Sequence, residues 1–400
     1  MTDAVPMPHN RRPAGCPFRP DAVLERLRDD QDLRELPRVP TSNPQLGEFE
    51  AVLVTRPDDV REALADPRYE AGFAFDRTGP RTVMNQPGIL LNYDGDDHTH
   101  YRRMLSGAFT VKRVRSLTPA IRRVVDERLD ALVRSGPGTD LIEAFAGPVP
   151  LLVICELLGI PAEDRDGIQR RSAIGTDAAG TLETQLENFA AMAAYMGELV
   201  ARQRSDPGDD ILGDLIRRHG DELSDDELIG MGNSILVAGH ETVTSMIGMS
   251  TLALLRDPGQ LAVVRDDADA APAAVEELLR LLSVAPPLIR QAATDLELGG
   301  ARVAAGERVL LSTLAANHGT GLDLDDPGRL DVRRRPTAHL AFGYGAHQCI
   351  GQQLARLELQ IALPALLRRL PGLRPAVDAA DVEYRTDALV FGVARLPVRW

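Results

Sequence analysis

The sequence predicts a mainly helical fold with a minor sheet. Three observations carry that expectation: helical periodicity dominates from His98 onward, few segments alternate like strands, and nothing in the 400 residues reads as a linker. The 34 glycines and 28 prolines are scattered between periodic segments, with no internal repeat or low-complexity run. Residues 1–400 are therefore expected to form one large domain, with 1–20 as an extended arm.

In chain order, Phe49 to Thr55 alternates like a strand, and Pro57 to Ala65 starts with proline and aspartates, as a short helix does. Residues 68–92 lack a clear period. Helices are expected over His98 to Phe109, Leu117 to Arg134, Leu141 to Leu158, Leu182 to Arg204 and Ile211 to His219. Next comes the most legible helix of the chain. Ser224 can cap it while Glu227 closes a capping box, and Asp225 and Asp226 suit its positive end. It should stop before Asp257-Pro258; roughly thirty residues at about 1.5 Å each make a rod of about 45 Å. Arg290 follows Pro286-Pro287 in an expected strand. Leu296 to Leu298 and Ala301 to Val303 flank Gly299-Gly300, a two-residue hairpin signal, and Arg308 to Leu311 reads as another strand.

Composition excludes several function classes. A formal net charge of -14 argues against a nucleic-acid binder and for a soluble protein. Cys16, Cys155 and Cys349 are sparse and far apart, which suits a reducing compartment, and the expected location is the cytoplasm. Arg11-Arg12 is followed by Pro13-Ala14-Gly15-Cys16-Pro17 without an apolar stretch, so it does not read as a twin-arginine export signal. The longest apolar run, Leu228 to Leu255, is broken by Asn233, Ser234, His240 and Glu241, against a membrane span.

Near the C-terminus the chain reads Phe342-Gly343-Tyr344-Gly345-Ala346-His347-Gln348-Cys349-Ile350-Gly351. Glycines there permit positive φ and let backbone lie against a flat ring, where a Cβ would collide. The loop delivers Cys349 to the start of a helical face of Ile350, Leu354, Leu357 and Ile361, and a helix N-terminus favours a thiolate. Such a thiolate suits haem iron, where cysteine ligation favours O–O cleavage. An inert buried cysteine or a cysteine nucleophile is the alternative. Zinc is poorer, because His347 and Cys349 lack a nearby ligand pair.

The decapeptide resembles the haem-binding signature of the cytochrome P-450 family, Phe-Gly-x-Gly-x-His-x-Cys-x-Gly, with every fixed position filled. The resemblance implies that family's single-domain fold, with haem between a long central helix and the cysteine loop, and Cys349 as the axial iron ligand. It extends to Ala238-Gly239-His240-Glu241-Thr242 in the middle of the long helix, which is similar to the family's acid-alcohol pair. Gly239 would leave room for dioxygen, Thr242 would hydrogen-bond it, and Glu241 would relay protons. By itself this pentapeptide reads as an ordinary solvated turn; beside the cysteine loop it gains its meaning. His240 is given no catalytic role.

Glu277-Leu278-Leu279-Arg280 places a carboxylate and a guanidinium at i and i+3. The resemblance makes them a structural pair joined by a later arginine, for which Arg329 is the candidate, although the flanking residues depart from the family's pattern. Four residues at family positions, His98, Arg102, Arg290 and His347, together with Phe342, are expected to hold haem b; individually each reads as an ordinary charged or capping residue. Without Cys-x-x-Cys-His, attachment should be non-covalent.

As the resemblance implies, the protein is expected to be a soluble bacterial-type monooxygenase. Electrons would come from NAD(P)H through a ferredoxin reductase and a ferredoxin, and one atom of O2 would enter an apolar substrate. Arg102, Arg103, Lys112, Arg113, Arg115, Arg122 and Arg123 lie in a stretch without one acidic residue, which suits an acidic ferredoxin or a merely solvated face. Expected pocket walls are residues 68–92, Thr176 to Gly180, Phe189, Met192, Val237, Ala238, Leu288, Ile289, Val390 and Phe391. Few aromatics and many small residues suit a roomy apolar cavity for a polyketide, macrolide or terpenoid, as in antibiotic biosynthesis. Departures from the family are His318 and Gly319 in Ala316-Asn317-His318-Gly319, and His100. Peroxygenases, nitric-oxide reductases and non-enzymatic haem proteins, whether gas sensor or silent scaffold, are the competing readings; a monomer is expected.

Overall fold

The computed structural model describes residues 12–13, 15–30, 36–43, 46–76, 78, 85–176, 182–319, 322, 324–386 and 388–400. The chain clusters into two compact units, each assembled from separate segments: Met1–Ala74, Met249–Cys349 and Leu389–Gly392 form the first, and Phe75–Gly248, Ile350–Ala388 and Val393–Trp400 the second.

The first unit holds a five-stranded sheet in the order β1-β2-β7-β4-β3, from β1 (Arg38–Asn43), β2 (Gly47–Val54), β3 (Tyr69–Glu70), β4 (Leu288–Ala292) and β7 (Arg308–Leu311). β2 runs parallel to β7 in the register Val52↔Val309 to Val54↔Leu311. Its last four residues are all buried because both faces are covered. The period of two sorts them: Val52 and Val54 enter one apolar cluster with Val60, Ala63 and Leu64, while Ala51 and Leu53 enter another with Leu24 and Ala315. The helices of this unit are α1 (Ala22–Asp29), α2 (Pro57–Ala65), α11 (Pro258–Asp266), α12 (Ala271–Leu282) and α13 (Thr313–Ala316), with the last turns of α10 (Asp225–Arg256). β5 (Leu296–Leu298) and β6 (Ala301–Val303) form the expected hairpin, Gly299 and Gly300 both taking positive φ. β1 was not expected: Pro40 and its polar neighbours hide a strand that sits at a sheet edge, where a missing N–H is tolerated.

The second unit is helical: α3 (Gly95–Ser106), α4 (Val111–Ser116), α5 (Thr118–Ser135), α6 (Pro148–Leu157), α7 (Arg165–Thr176), α8 (Leu182–Ser205), α9 (Ile211–His219), most of α10, and α14 (Gln352–Arg369). Two short ribbons, β8 (Arg374–Pro375) with β11 (Val398–Arg399) and β9 (Glu383–Tyr384) with β10 (Val393–Arg395), complete it. The helix expected over 141–158 is broken. A π-helical turn at Ile142–Ala146 precedes α6, because Pro148 and Pro150 lack the N–H groups a continuous helix needs, and Gly147 N donates five residues back to Ile142 O. α10 begins as the sequence predicts: Ser224 N donates to Glu227 Oε2 at 2.7 Å and Glu227 N to Ser224 Oγ at 3.3 Å. Along α14 the buried stripe is Leu354, Glu358, Leu359, Ala362, Leu363, Leu366 and Leu367; Ile350, Leu357 and Ile361 are only half-buried, so the expected face is rotated. Among the described residues no helix is long and apolar enough to cross a membrane.

Candidate functional site

The cysteine loop lies in the first unit and is closed by its own backbone. Gly343 and Gly345 sit at φ +70° and +72°, Gln348 N donates to Gly345 O at 3.1 Å, and Cys349 N donates to Phe342 O at 2.9 Å. A Cβ on Gly345 would lie 2.4 Å from the Leu64 carbonyl oxygen, so a side chain there is excluded by fixed backbone as well as by φ. This closure presents Cys349 at the surface, exposed and reduced, whereas Cys155 is buried and burial pushes its thiol up to about 12. Phe342 and His347 are half-buried on the same loop.

On β4, Arg290 is buried, with Nη1 donating to the Ile289 carbonyl at 2.8 Å. Leu288 and Ile289 are half-buried and pack on the two faces of the sheet core. Val390 and Phe391 are buried; Phe391 N donates to Val284 O, and its ring lies 4.3 Å from the guanidinium of Arg12, whose side chain also donates to the Leu282 carbonyl. The arm is thereby tied to its own unit by a residue that sequence reasoning missed.

In the second unit α10 is buried along most of its length, but its middle opens. Val237 is 51% exposed, Ala238 is exposed, and Gly239, Glu241 and Thr242 are partly so. Thr242 Oγ1 donates to Ala238 O at 2.8 Å, which leaves its lone pairs free to accept. A Cβ on Gly239 would lie 2.6 Å from Ile154 Cδ1, so a larger residue there would displace the end of that side chain. Burial raises the Glu241 carboxyl above its ordinary range, and Arg385, 3.4 Å away, opposes that rise. His240 turns away into the protein: its Nδ1 lies 2.7 Å from Ser172 Oγ, it bonds the Gly147 carbonyl, and burial pushes it down to about 4. On α3, His98 is buried and Arg102 half-exposed, one turn apart.

Glu277 and Arg280 are buried on α12 and paired twice, Nε to Oε2 at 2.8 Å and Nη2 to Oε1 at 2.9 Å. Arg280 Nη1 also donates to the carbonyls of Asn317 and Pro327. The third arginine is Arg334 rather than Arg329: Arg334 Nε reaches Glu277 Oε1 at 3.2 Å, while Arg329 offers only its backbone carbonyl to Arg334. A turn closed by Arg334 N on Asp331 O folds that guanidinium back, a geometry that spacing from Pro327 does not encode. Of the expected pocket walls, 77, 79–84 and 177–180 lie outside the described residues, and so does most of the arm.

The donor chemistry fits haem. Cys349 offers one exposed thiol on a loop closed by glycines at positive φ, a donor that suits a metal whose other ligands belong to a cofactor. The glycine-closed backbone around it fits a planar ring.

Comparison with known proteins gives the same answer from a different direction. The cytochrome P-450 family model matches residues 196–390. The chain is 40% identical to cytochrome P-450-SU2 of Streptomyces griseolus, over 100% of this chain and 98% of that one. It is 39% identical to the mycinamicin IV hydroxylase/epoxidase of Micromonospora griseorubida, over 92% and 94% of the two chains. Among solved structures, CYP105P1 in complex with filipin I superposes with a TM-score of 0.87 at 38% identity, covering 100% of this chain and 99% of that one.

Proposed function

Because the chain belongs to the cytochrome P-450 family and is a monooxygenase, we propose that it hydroxylates or epoxidises a bulky apolar small molecule of secondary metabolism. The observation that carries the haem assignment is the exposed Cys349 thiol on its glycine-closed loop. Haem b, bound non-covalently, would supply dioxygen activation and the transfer of one oxygen atom. Cys349 would ligate its iron. His98, Arg102, Arg290 and His347 would hold the propionates by charge and hydrogen bonds, and Phe342 and Gly239 would line the ring.

The residues of this chain then divide the work. Thr242, its hydroxyl hydrogen held by Ala238 O, would keep its lone pairs available to accept a hydrogen bond where dioxygen is reduced. Glu241, raised by burial yet facing a cation, holds and releases the protons that oxygen reduction consumes. Val237 and Ala238 offer an exposed apolar surface to substrate, with Leu288, Ile289, Val390 and Phe391 as further pocket candidates. The names mycinamicin IV hydroxylase/epoxidase and a filipin I complex among the relatives support a macrolide-like substrate. Electrons would come from NAD(P)H through a ferredoxin reductase and a ferredoxin, with the enzyme working as a cytoplasmic monomer and a single domain.

The test is spectroscopic. The reduced, carbon-monoxide-bound protein is expected to give the absorption of a haem-thiolate, and Cys349→Ser to lose it. A screen of natural products for spectral shifts, followed by NADPH consumption with ferredoxin and reductase, should yield oxygenated product. A nitrogen-ligated haem overturns the ligand assignment; a haem-thiolate without product favours a gas sensor.

A further inference from the structure

Glu241 is held by a residue far from it in sequence. Arg385 follows β9, 144 residues downstream, and meets α10 at two positions one turn apart. Its Nη1 lies 3.4 Å from Glu241 Oε1, and its Nη2 donates to Ser245 Oγ at 2.5 Å. The two contacts are unequal. The short bond to the hydroxyl anchors the guanidinium, while the approach to the carboxylate is at the outer limit of a hydrogen bond. The Arg385 and Glu241 side chains are only 15% and 24% exposed, so water screens their attraction less than at a surface pair.

The same protein contains the opposite design. Arg280 grips Glu277 through two short parallel bonds, and both side chains are buried, which is the geometry of a pair that should never come apart. Arg385 makes a single long contact instead, and its buried Nε has no acceptor among the described residues. A carboxyl beside it is therefore attracted but not locked, and can turn about its own χ angles without breaking a bidentate clamp.

We propose that Arg385 is a positioning residue for Glu241: anchored on Ser245, it holds the carboxyl near its place while leaving it free to turn, and thereby sets the efficiency of proton delivery. This rests on Glu241 acting as the acid of the acid-alcohol pair. Burial raises the carboxyl above its ordinary range and the cation opposes that rise. Arg385 is not a catalytic residue in this account, since it acts through Glu241.

Arg385→Gln, Arg385→Lys, Glu241→Gln and the double variant Arg385→Gln/Glu241→Gln test the inference, each as haem-loaded protein with ferredoxin, reductase and a substrate chosen by its spectral shift. Arg385→Gln is expected to load haem and bind substrate as the parent does, yet to release about tenfold more hydrogen peroxide per product formed. Arg385→Lys should recover most of the coupling, and adding Arg385→Gln to Glu241→Gln should change the ratio no further. Thermal unfolding of the same haem-loaded variants gives an independent readout, with melting shifts that are non-additive across the cycle. If Glu241→Gln uncouples turnover and Arg385→Gln does not, the proposal is overturned while the role of Glu241 stands. If Glu241→Gln leaves coupling intact, the acid role falls and takes the proposal with it. Additive melting shifts and additive uncoupling would reduce Arg385 to a packing residue.

Discussion

Thr242 and Glu358 pose the two residue-scale questions that measurement can decide. Thr242→Ala removes a hydroxyl that bonds its own helix and leaves the helix intact, so haem loading should be unchanged. Electrons should instead leave as hydrogen peroxide, by about tenfold or more per product, because the reacting oxygen loses a hydrogen-bond partner; equal coupling in variant and parent refutes the role. Glu358 on α14 is fully buried, and neither carboxyl oxygen has a hydrogen-bond partner among the described residues. Burial therefore raises its carboxyl well above the ordinary range. A raised carboxyl contributes stability that is complete below the unfolded value of about 4.5 and is lost as pH climbs toward the folded value. Glu358→Gln should flatten the fall in melting temperature as pH rises above about 4.5, to be followed by calorimetry of the haem-loaded protein. His240 and His318 act in the opposite window. Burial pushes them down to about 4 and about 3, so their contribution erodes as pH falls below the ordinary histidine range.

Elements show where local chemistry was sufficient and where it was not. Both ends of α10 were legible, because the Ser224/Glu227 capping box and the Asp257-Pro258 stop are encoded within one turn of the boundary. Ser224→Ala should cost about 1 kcal/mol of stability by losing that cap, measured by denaturant unfolding, with Ser224→Asp restoring most of it. The break before α6 was missed although Pro148 and Pro150 stood in view, since apolar periodicity runs on through a region that backbone hydrogen bonding interrupts. On α12 the Glu277-Arg280 pair was legible from its spacing, but its third member was not. Arg334→Ala leaves a buried carboxylate short of a donor and should destabilise by about 1–3 kcal/mol, whereas Arg329→Ala should fall within about 0.5 kcal/mol of the parent.

For the whole molecule, net charge and its distribution bear on partners. In a chain of net charge -14, Lys112, Arg115 and Arg122 are exposed cations. Arg113 and Arg123 are less available, Arg113 donating to the Asp209 carbonyl and Arg123 pairing with Glu127 and Glu156. The proposed ferredoxin surface therefore rests on the first three and on Arg103 of α3, which is also exposed. Arg115→Glu should slow ferredoxin-driven turnover several-fold at low salt, with the difference shrinking as ionic strength rises and haem content unchanged. An identical salt profile in variant and parent would assign that surface to solvent.

By itself the sequence determined the chemistry that is written locally: the thiol at Cys349 with the glycines that close its loop, the acid and hydroxyl at Glu241 and Thr242, the caps of α10, and the alternation that sorts β2 between two cores. Such features depend on residues within a turn or a strand of one another, where the period of the backbone fixes which side chains meet. Only the tertiary structure decided that Arg385 faces Glu241, that Arg334 completes Glu277, and that Arg12 ties the arm to Phe391. Those partners are separated by tens to hundreds of residues, and arginines are plentiful in this chain. No local pattern distinguishes the guanidinium that will be folded against a buried carboxylate from the many that will remain in water.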